Sequence, residues 1–183
     1  MDLLEPHHQD LMCKAGLENY PFVTAEQIHG NGIALVGQTN ASAAAPNAGV
    51  HGLMTSERGI TLGIYVADCA SVWIVAKNGT AGALLHSGKK GTELGIVTKG
   101  IEMLGNEFRL KPHELIVAIG PCIRPPCYEV DFAATIRSQA RASGVTEIQD
   151  DLICTACHPD HYYSYRRERG LTGRMLATLT LIP

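Results

Sequence analysis

The sequence predicts a mixed α/β domain of layered architecture, and three observations carry that expectation. Closely spaced, continuously apolar runs fill residues 60–85, a 3.6-residue apolar period begins after Gly91, and further strand-like runs alternate with a second helical stretch toward the C-terminus. No internal repeat is detectable, so the 183 residues are read as one domain spanning the chain.

Residues 2–16 are rich in helix formers, with Leu3, Leu4, Leu11 and Met12 able to share a face, which suggests a short N-terminal helix. Residues 37–52 are small and polar, a long surface loop between two strand candidates. The runs Ile60 to Val66, Ser71 to Ala76 and Ala81 to Leu85 read as strands covered on both faces. The Asn78-Gly79 turn makes the second and third a hairpin. Leu94, Val97, Ile101, Leu104 and Phe108 then follow a 3, 4, 3, 4 spacing, which places them on one face of a helix beginning near Thr92. Leu115 to Ile119 reads as another buried strand, Phe132 to Ser143 as a helix, and Met175 to Ile182, with its threonines, as a closing strand.

Composition excludes several classes. A domain of this length buries roughly 70% of the surface of its unfolded chain, so it can hold a core without disulfides or a structural metal. The formal charge of −3 and the scattered cations, Lys89-Lys90 and Arg166-Arg167-Glu168-Arg169 apart, argue against nucleic acid as a partner. No stretch approaches the roughly 20 apolar residues of a membrane span, and the acidic start Met1-Asp2-Leu3-Leu4-Glu5 is unlike a signal peptide, so a cytoplasmic setting is expected. Nothing marks an obligate protein partner. In that reducing setting the cysteines Cys13, Cys69, Cys122, Cys127, Cys154 and Cys157 are expected as thiols or ligands rather than disulfides.

Several nucleotide and hydrolase signatures are missing: Gly88-Lys89-Lys90-Gly91-Thr92 lacks the upstream glycine and the ending of a P-loop, and there is no Gly-x-Ser-x-Gly elbow. Cys154-Thr155-Ala156-Cys157-His158 has the form of a haem attachment site, but that chemistry belongs outside the cytoplasm. With His161 the same residues could form a zinc knuckle, yet no second ligand pair stands at the usual spacing, so a redox-inactive pair near a loop is the preferred reading.

A sharper signal is distributed over Gln27-Ile28-His29-Gly30, Ala67-Asp68-Cys69 and His86-Ser87-Gly88, whose His29, Cys69 and His86 fall at the ends of apolar runs. Two imidazoles and a thiolate suit a zinc site with one position open to water or substrate. Taken singly, each of the three is more simply read as a packed side chain.

These segments, together with Gly120-Pro121-Cys122-Ile123, Cys127-Tyr128-Glu129-Val130, Tyr163-Ser164-Tyr165-Arg166-Arg167 and Thr172-Gly173-Arg174-Met175, resemble the YfiH-type family, also called multicopper polyphenol oxidoreductases or laccase-domain proteins. The match in order and spacing runs from about Gln27 to the C-terminus. The resemblance implies a layered α/β fold of the type shared with cysteine deamidases, and a metal held by His29, Cys69 and His86, zinc first and copper by the family name. It further implies phosphorolysis of purine nucleosides, with adenosine deaminase and methylthioadenosine phosphorylase activities beside it. Cys69 and His86 would then be catalytic, and Lys89, Lys90, Tyr128, Glu129 and Arg166 would bind nucleoside and phosphate.

The residues give that activity a physical basis. Gly88 to Gly91 lie between a strand and a helix start, where backbone N–H groups, the helix dipole and two ammonium groups favour phosphate. The chain also departs from the family pattern: Lys89-Lys90 stand where a Trp-Arg pair is usual, His51 stands at an acidic position, and the segment before Gln27 is short relative to the family. Three other readings are a Cys-His hydrolase using Cys69 and His86, a non-catalytic metal-binding protein, and a true laccase. The last has least support, because eight histidines with no His-x-His pair do not supply a copper cluster.

Overall fold

The computed structural model describes residues 5–28, 30–41 and 45–182, with side chains described from residue 10 onward. In chain order the elements are α1 (Glu5–Lys14), β1 (Phe22–Thr24), β2 (Ile33–Leu35), β3 (Gly52–Thr55), β4 (Thr61–Val66), β5 (Ala70–Ala76) and β6 (Gly82–Ser87). They continue with α2 (Lys89–Glu93), α3 (Ile96–Phe108), β7 (Leu115–Ile119), α4 (Phe132–Ala142), β8 (Glu147–Asp150) and β9 (Met175–Thr180). Every strong apolar run forms a strand within one or two residues of its expected limits, and β5 and β6 form the expected hairpin. The polar strand β8 and the three-residue strands β1 and β2 carry no period long enough to be seen in the sequence.

Six strands form one sheet in the order β2-β3-β6-β5-β7-β8, and three form a second in the order β1-β4-β9. Alternation along the larger sheet divides its side chains between two cores. Val72, Ile74, Ala83, Leu85, Val117 and Ile119 face α3 and α4, meeting Val97, Ile101, Leu104, Phe132 and Ile136. Leu53, Trp73 and Leu84 face the smaller sheet and meet Leu62, Ile64 and Val66. The result is a layer of helices, a mixed sheet, and a second sheet. The Trp73 indole N–H donates to the Thr178 carbonyl at 2.9 Å, tying the two sheets together. Burial on both faces explains why these strands read as unbroken apolar runs.

One element differs from expectation. The helix predicted to begin near Thr92 begins at Lys89 and comes in two pieces. Gly95, at φ 69°, adopts the left-handed conformation between them, which leaves Leu94 47% exposed and outside the apolar face. Lys89 and Lys90 are therefore exposed residues of the first helical turn, not of a loop before it.

Candidate functional site

Strand register gathers the site. In the β5–β6 hairpin Ser71 lies opposite His86 and Ala70 opposite Ser87, so the next step places Cys69 opposite Gly88. Side-chain parity puts Ser71 and His86 on the face of Trp73 and Leu84, at the margin of the core between the two sheets. Cys69 Sγ covers Gly88 so closely that a methyl group there would overlap it. A third ring joins them: His51 precedes β3, is 3% exposed, and sets its ring edge-on to His86 with centroids 5.2 Å apart. The backbone N–H of His86 donates to the His51 carbonyl at 2.8 Å.

His29 lies outside the described residues. The segment around it is anchored beside the site, because the Gln27 side chain pairs with the Tyr65 backbone like a short strand. Its Nε2 donates to the Tyr65 carbonyl at 2.6 Å and its Oε1 accepts from the Tyr65 N–H at 2.8 Å. Gly30 follows, and its carbonyl stands 3.7 Å from where a side chain on Gly91 would begin.

Asp68 organises the other side. It is buried, holds a φ of 81°, accepts the Thr155 hydroxyl at 2.7 Å on one oxygen and accepts the Arg166 backbone N–H at 2.7 Å on the other. These bonds draw two distant segments to the Cys69 turn. The Arg166 guanidinium in turn pairs with Glu129 at 2.6 Å and lies 5.0 Å from the centre of the Tyr128 ring. Tyr128, Glu129 and Arg166, expected as binding residues, thus form one group linked through Asp68 to Cys69, while Lys89 and Lys90 follow His86 in the chain as exposed residues at the start of α2. Burial pushes the Cys69 thiol up to about 11, with the charge of Asp68 adding to the effect and Arg174 opposing it. Without a metal the thiol is neutral at pH 7.

Sequence reasoning missed two arrangements. Asp68 drew no attention because an isolated acid in a turn has no pattern; its signal, had it been read, is its place directly before Cys69. The reading of Cys154 and Cys157 as an isolated pair is incomplete, since Cys127 joins them and the three sulfurs lie within 4.8 Å of one another. Twenty-six residues separate Cys127 from Cys154, and no spacing rule connects them.

A layered α/β fold with a thiol and imidazoles at the edge of an inter-sheet core defines the class, and comparison places the chain within it. The fold is similar to the crystal structure of YlmD from Geobacillus stearothermophilus, with a TM-score of 0.90 and 29% identity over 96% of this chain and 78% of that one. The chain belongs to the multi-copper polyphenol oxidoreductase laccase family, which it matches over residues 5–134 and 130–182. A relative from Geobacillus stearothermophilus, named purine nucleoside phosphorylase YlmD, is 32% identical, covering 85% of this chain and 70% of that protein. Another from Corynebacterium glutamicum, also named a purine nucleoside phosphorylase, is 30% identical, covering 91% and 76%. These relatives support an enzyme of this family, and the family together with the three-cysteine cluster points to metal binding. Among the described residues no helix is long and apolar enough to cross a membrane.

Proposed function

We propose that this protein is a metal-dependent purine nucleoside phosphorylase, converting adenosine or inosine and inorganic phosphate to the free base and ribose 1-phosphate. Adenosine deaminase and methylthioadenosine phosphorylase activities accompany it in this reading. The observation that carries the proposal is the gathering of Cys69 and His86 at one end of the β5–β6 hairpin, in a chain whose relatives are named purine nucleoside phosphorylases. His29, Cys69 and His86 would hold the metal. The donor chemistry fits: sulfur and imidazole nitrogen suit zinc, with copper the alternative, and Gly88 lacks the side chain that would crowd the sulfur. When bound, the metal supplies electrophilic stabilisation of negative charge on the departing purine and, for deamination, activation of water.

The protein's own residues do the rest. Lys89 and Lys90 present two ammonium groups at the first turn of α2, where a phosphate anion gains from their charge. Arg166, held by Glu129, offers a fork of N–H donors to phosphate or ribose oxygens, and the Tyr128 ring offers a stacking surface. The setting in this reading is the cytoplasm, where thiols stay reduced.

The test is chromatography of inosine or adenosine incubated with phosphate and the purified protein. Free base with ribose 1-phosphate is expected, and both should vanish in Cys69→Ala and after chelation. Turnover that survives chelation would shift the assignment to a Cys-His hydrolase. Stoichiometric metal with no turnover of either nucleoside would overturn the proposal in favour of a non-catalytic metal-binding protein.

A further inference from the structure

We propose a second metal site, built by Cys127, Cys154 and Cys157, that takes a thiophilic divalent cation such as zinc and clamps the loop after β7 to the segment after β8. It is separate from the His29, Cys69 and His86 centre and shares no residue with it. The three sulfurs lie within 4.8 Å of one another, and those of Cys127 and Cys157 are 3.4 Å apart. A zinc–sulfur bond of about 2.3 Å in tetrahedral geometry separates the sulfurs by about 3.8 Å. Adjustments of about 1 Å or less would bring all three onto one ion.

The backbone holds these thiols in place without the ion. Cys154 precedes and Cys157 ends a short 3-10 turn (Thr155–Cys157), in which the Cys157 N–H donates to the Cys154 carbonyl at 3.2 Å. This is the Cys-x-x-Cys spacing of thiolate zinc turns. Cys127 arrives from the other loop, which a bridge between Cys122 and Cys154 aligns in parallel with this segment. The Cys122 N–H donates to the Ile153 carbonyl and the Thr155 N–H to the Cys122 carbonyl, each at 3.2 Å. Arg124 adds a bond from Nε to the Ile153 carbonyl at 3.2 Å and pairs with the half-buried Asp150.

Charge and exposure complete the case. Loading one zinc releases the three thiol protons to solvent and leaves a net charge of −1 on the zinc–thiolate group. The guanidinium of Arg167 donates to the Ala156 carbonyl, between the two cysteines in sequence, at 3.0 Å and so brings a positive charge to this turn. Cys157 is exposed while Cys127 and Cys154 are half-buried, so an ion enters from solvent and keeps its fourth position for water. A lone disulfide would use two of the sulfurs and leave the third idle. The site also has a route to the first one: Thr155, next to Cys154, donates to Asp68, the neighbour of Cys69.

The experiment uses the full chain carrying Cys69→Ser, which disables the first centre and so separates the two. This variant is treated with zinc or with chelator, alkylated with iodoacetamide, and digested for mass spectrometry. Zinc is expected to slow alkylation of Cys127, Cys154 and Cys157 together by at least about tenfold, leaving Cys13 unaffected. Cobalt in place of zinc should give thiolate charge-transfer absorption in Cys69→Ser that disappears when Cys154→Ser is added. Equal alkylation with and without zinc would overturn the proposal. So would a Cys127–Cys157 disulfide in freshly purified protein that persists when zinc is added.

Discussion

Gly88→Ala tests the placement of Cys69 most directly. Gly88 has φ −93° and ψ −167°, an extended conformation open to any residue, so alanine brings no backbone penalty. What it brings is a methyl group inside the contact distance of Cys69 Sγ and 3.4 Å from Cys69 Cβ. Restoring a normal separation of about 3.6 Å requires a movement of about 1 Å. Neither partner yields easily. The Gly88 carbonyl accepts from the Thr92 N–H at 2.9 Å and from its hydroxyl at 2.7 Å, while Cys69 follows Asp68, which Thr155 and Arg166 hold. Overpacking of this kind costs about 1–3 kcal/mol. In a chain of this size that lowers Tm by roughly 2–12 °C. A sulfur displaced by about 1 Å also falls outside the tolerance of a metal–ligand bond, so kcat/KM for inosine phosphorolysis should drop about a hundredfold. The decisive measurement repeats Gly88→Ala in Cys69→Ala, where the sulfur is gone and the two Cβ atoms fit side by side. There the thermal penalty should shrink to about 0.5 kcal/mol or less. Equal penalties in both backgrounds would show that Sγ does not cover Gly88, and the site geometry would fail with it.

Asp68→Ala leaves the buried Thr155 hydroxyl and the Arg166 N–H without their acceptor, and should destabilise the fold by about 2–4 kcal/mol in urea titrations; a loss below about 1 kcal/mol would contradict the organising role given to this carboxylate. Arg166→Met removes an exposed ion pair and a ring contact. Stability should change by less than about 1 kcal/mol, while KM for phosphate or nucleoside rises about tenfold; unchanged KM would remove Arg166 from the binding group. Burial raises the Asp150 carboxyl, but hydrogen bonds from Arg124, the Leu152 N–H and Arg137, with the charge of Arg124, outweigh it and hold the group below its ordinary value. Its stabilising effect is therefore complete above about pH 4 and fades as pH falls through the lowered value. The Tm gap between the native chain and Asp150→Asn should be constant from pH 7 to 5 and narrow below pH 4; a gap that stays constant down to pH 3 would refute the assignment. His51→Ala removes an edge-on ring contact from His86 and should cost about 0.5–1.5 kcal/mol beyond the lost area, with a weaker hold on metal at the first centre read by equilibrium dialysis. Unaltered metal affinity would make His51 a packing residue only.

The sequence alone determined the layered α/β class, because strands buried on both faces must be apolar throughout and the α3 face must repeat every 3.6 residues. It also determined the candidate ligands His29, Cys69 and His86, through the resemblance of their flanking motifs rather than through their spacing. What it could not encode locally is which distant segments touch. Neither the break at Gly95, where one left-handed glycine interrupts a period that otherwise runs on, nor the start of α2 at Lys89 is marked in that period. The ring of His51 against His86, the two segments held by Asp68, and the meeting of Cys127 with Cys154 and Cys157 depend on sheet order and loop pairing. Tertiary structure alone decided those contacts. Side chains far apart in the chain meet only when the whole sheet fixes the ends of its strands, and no local spacing records that constraint.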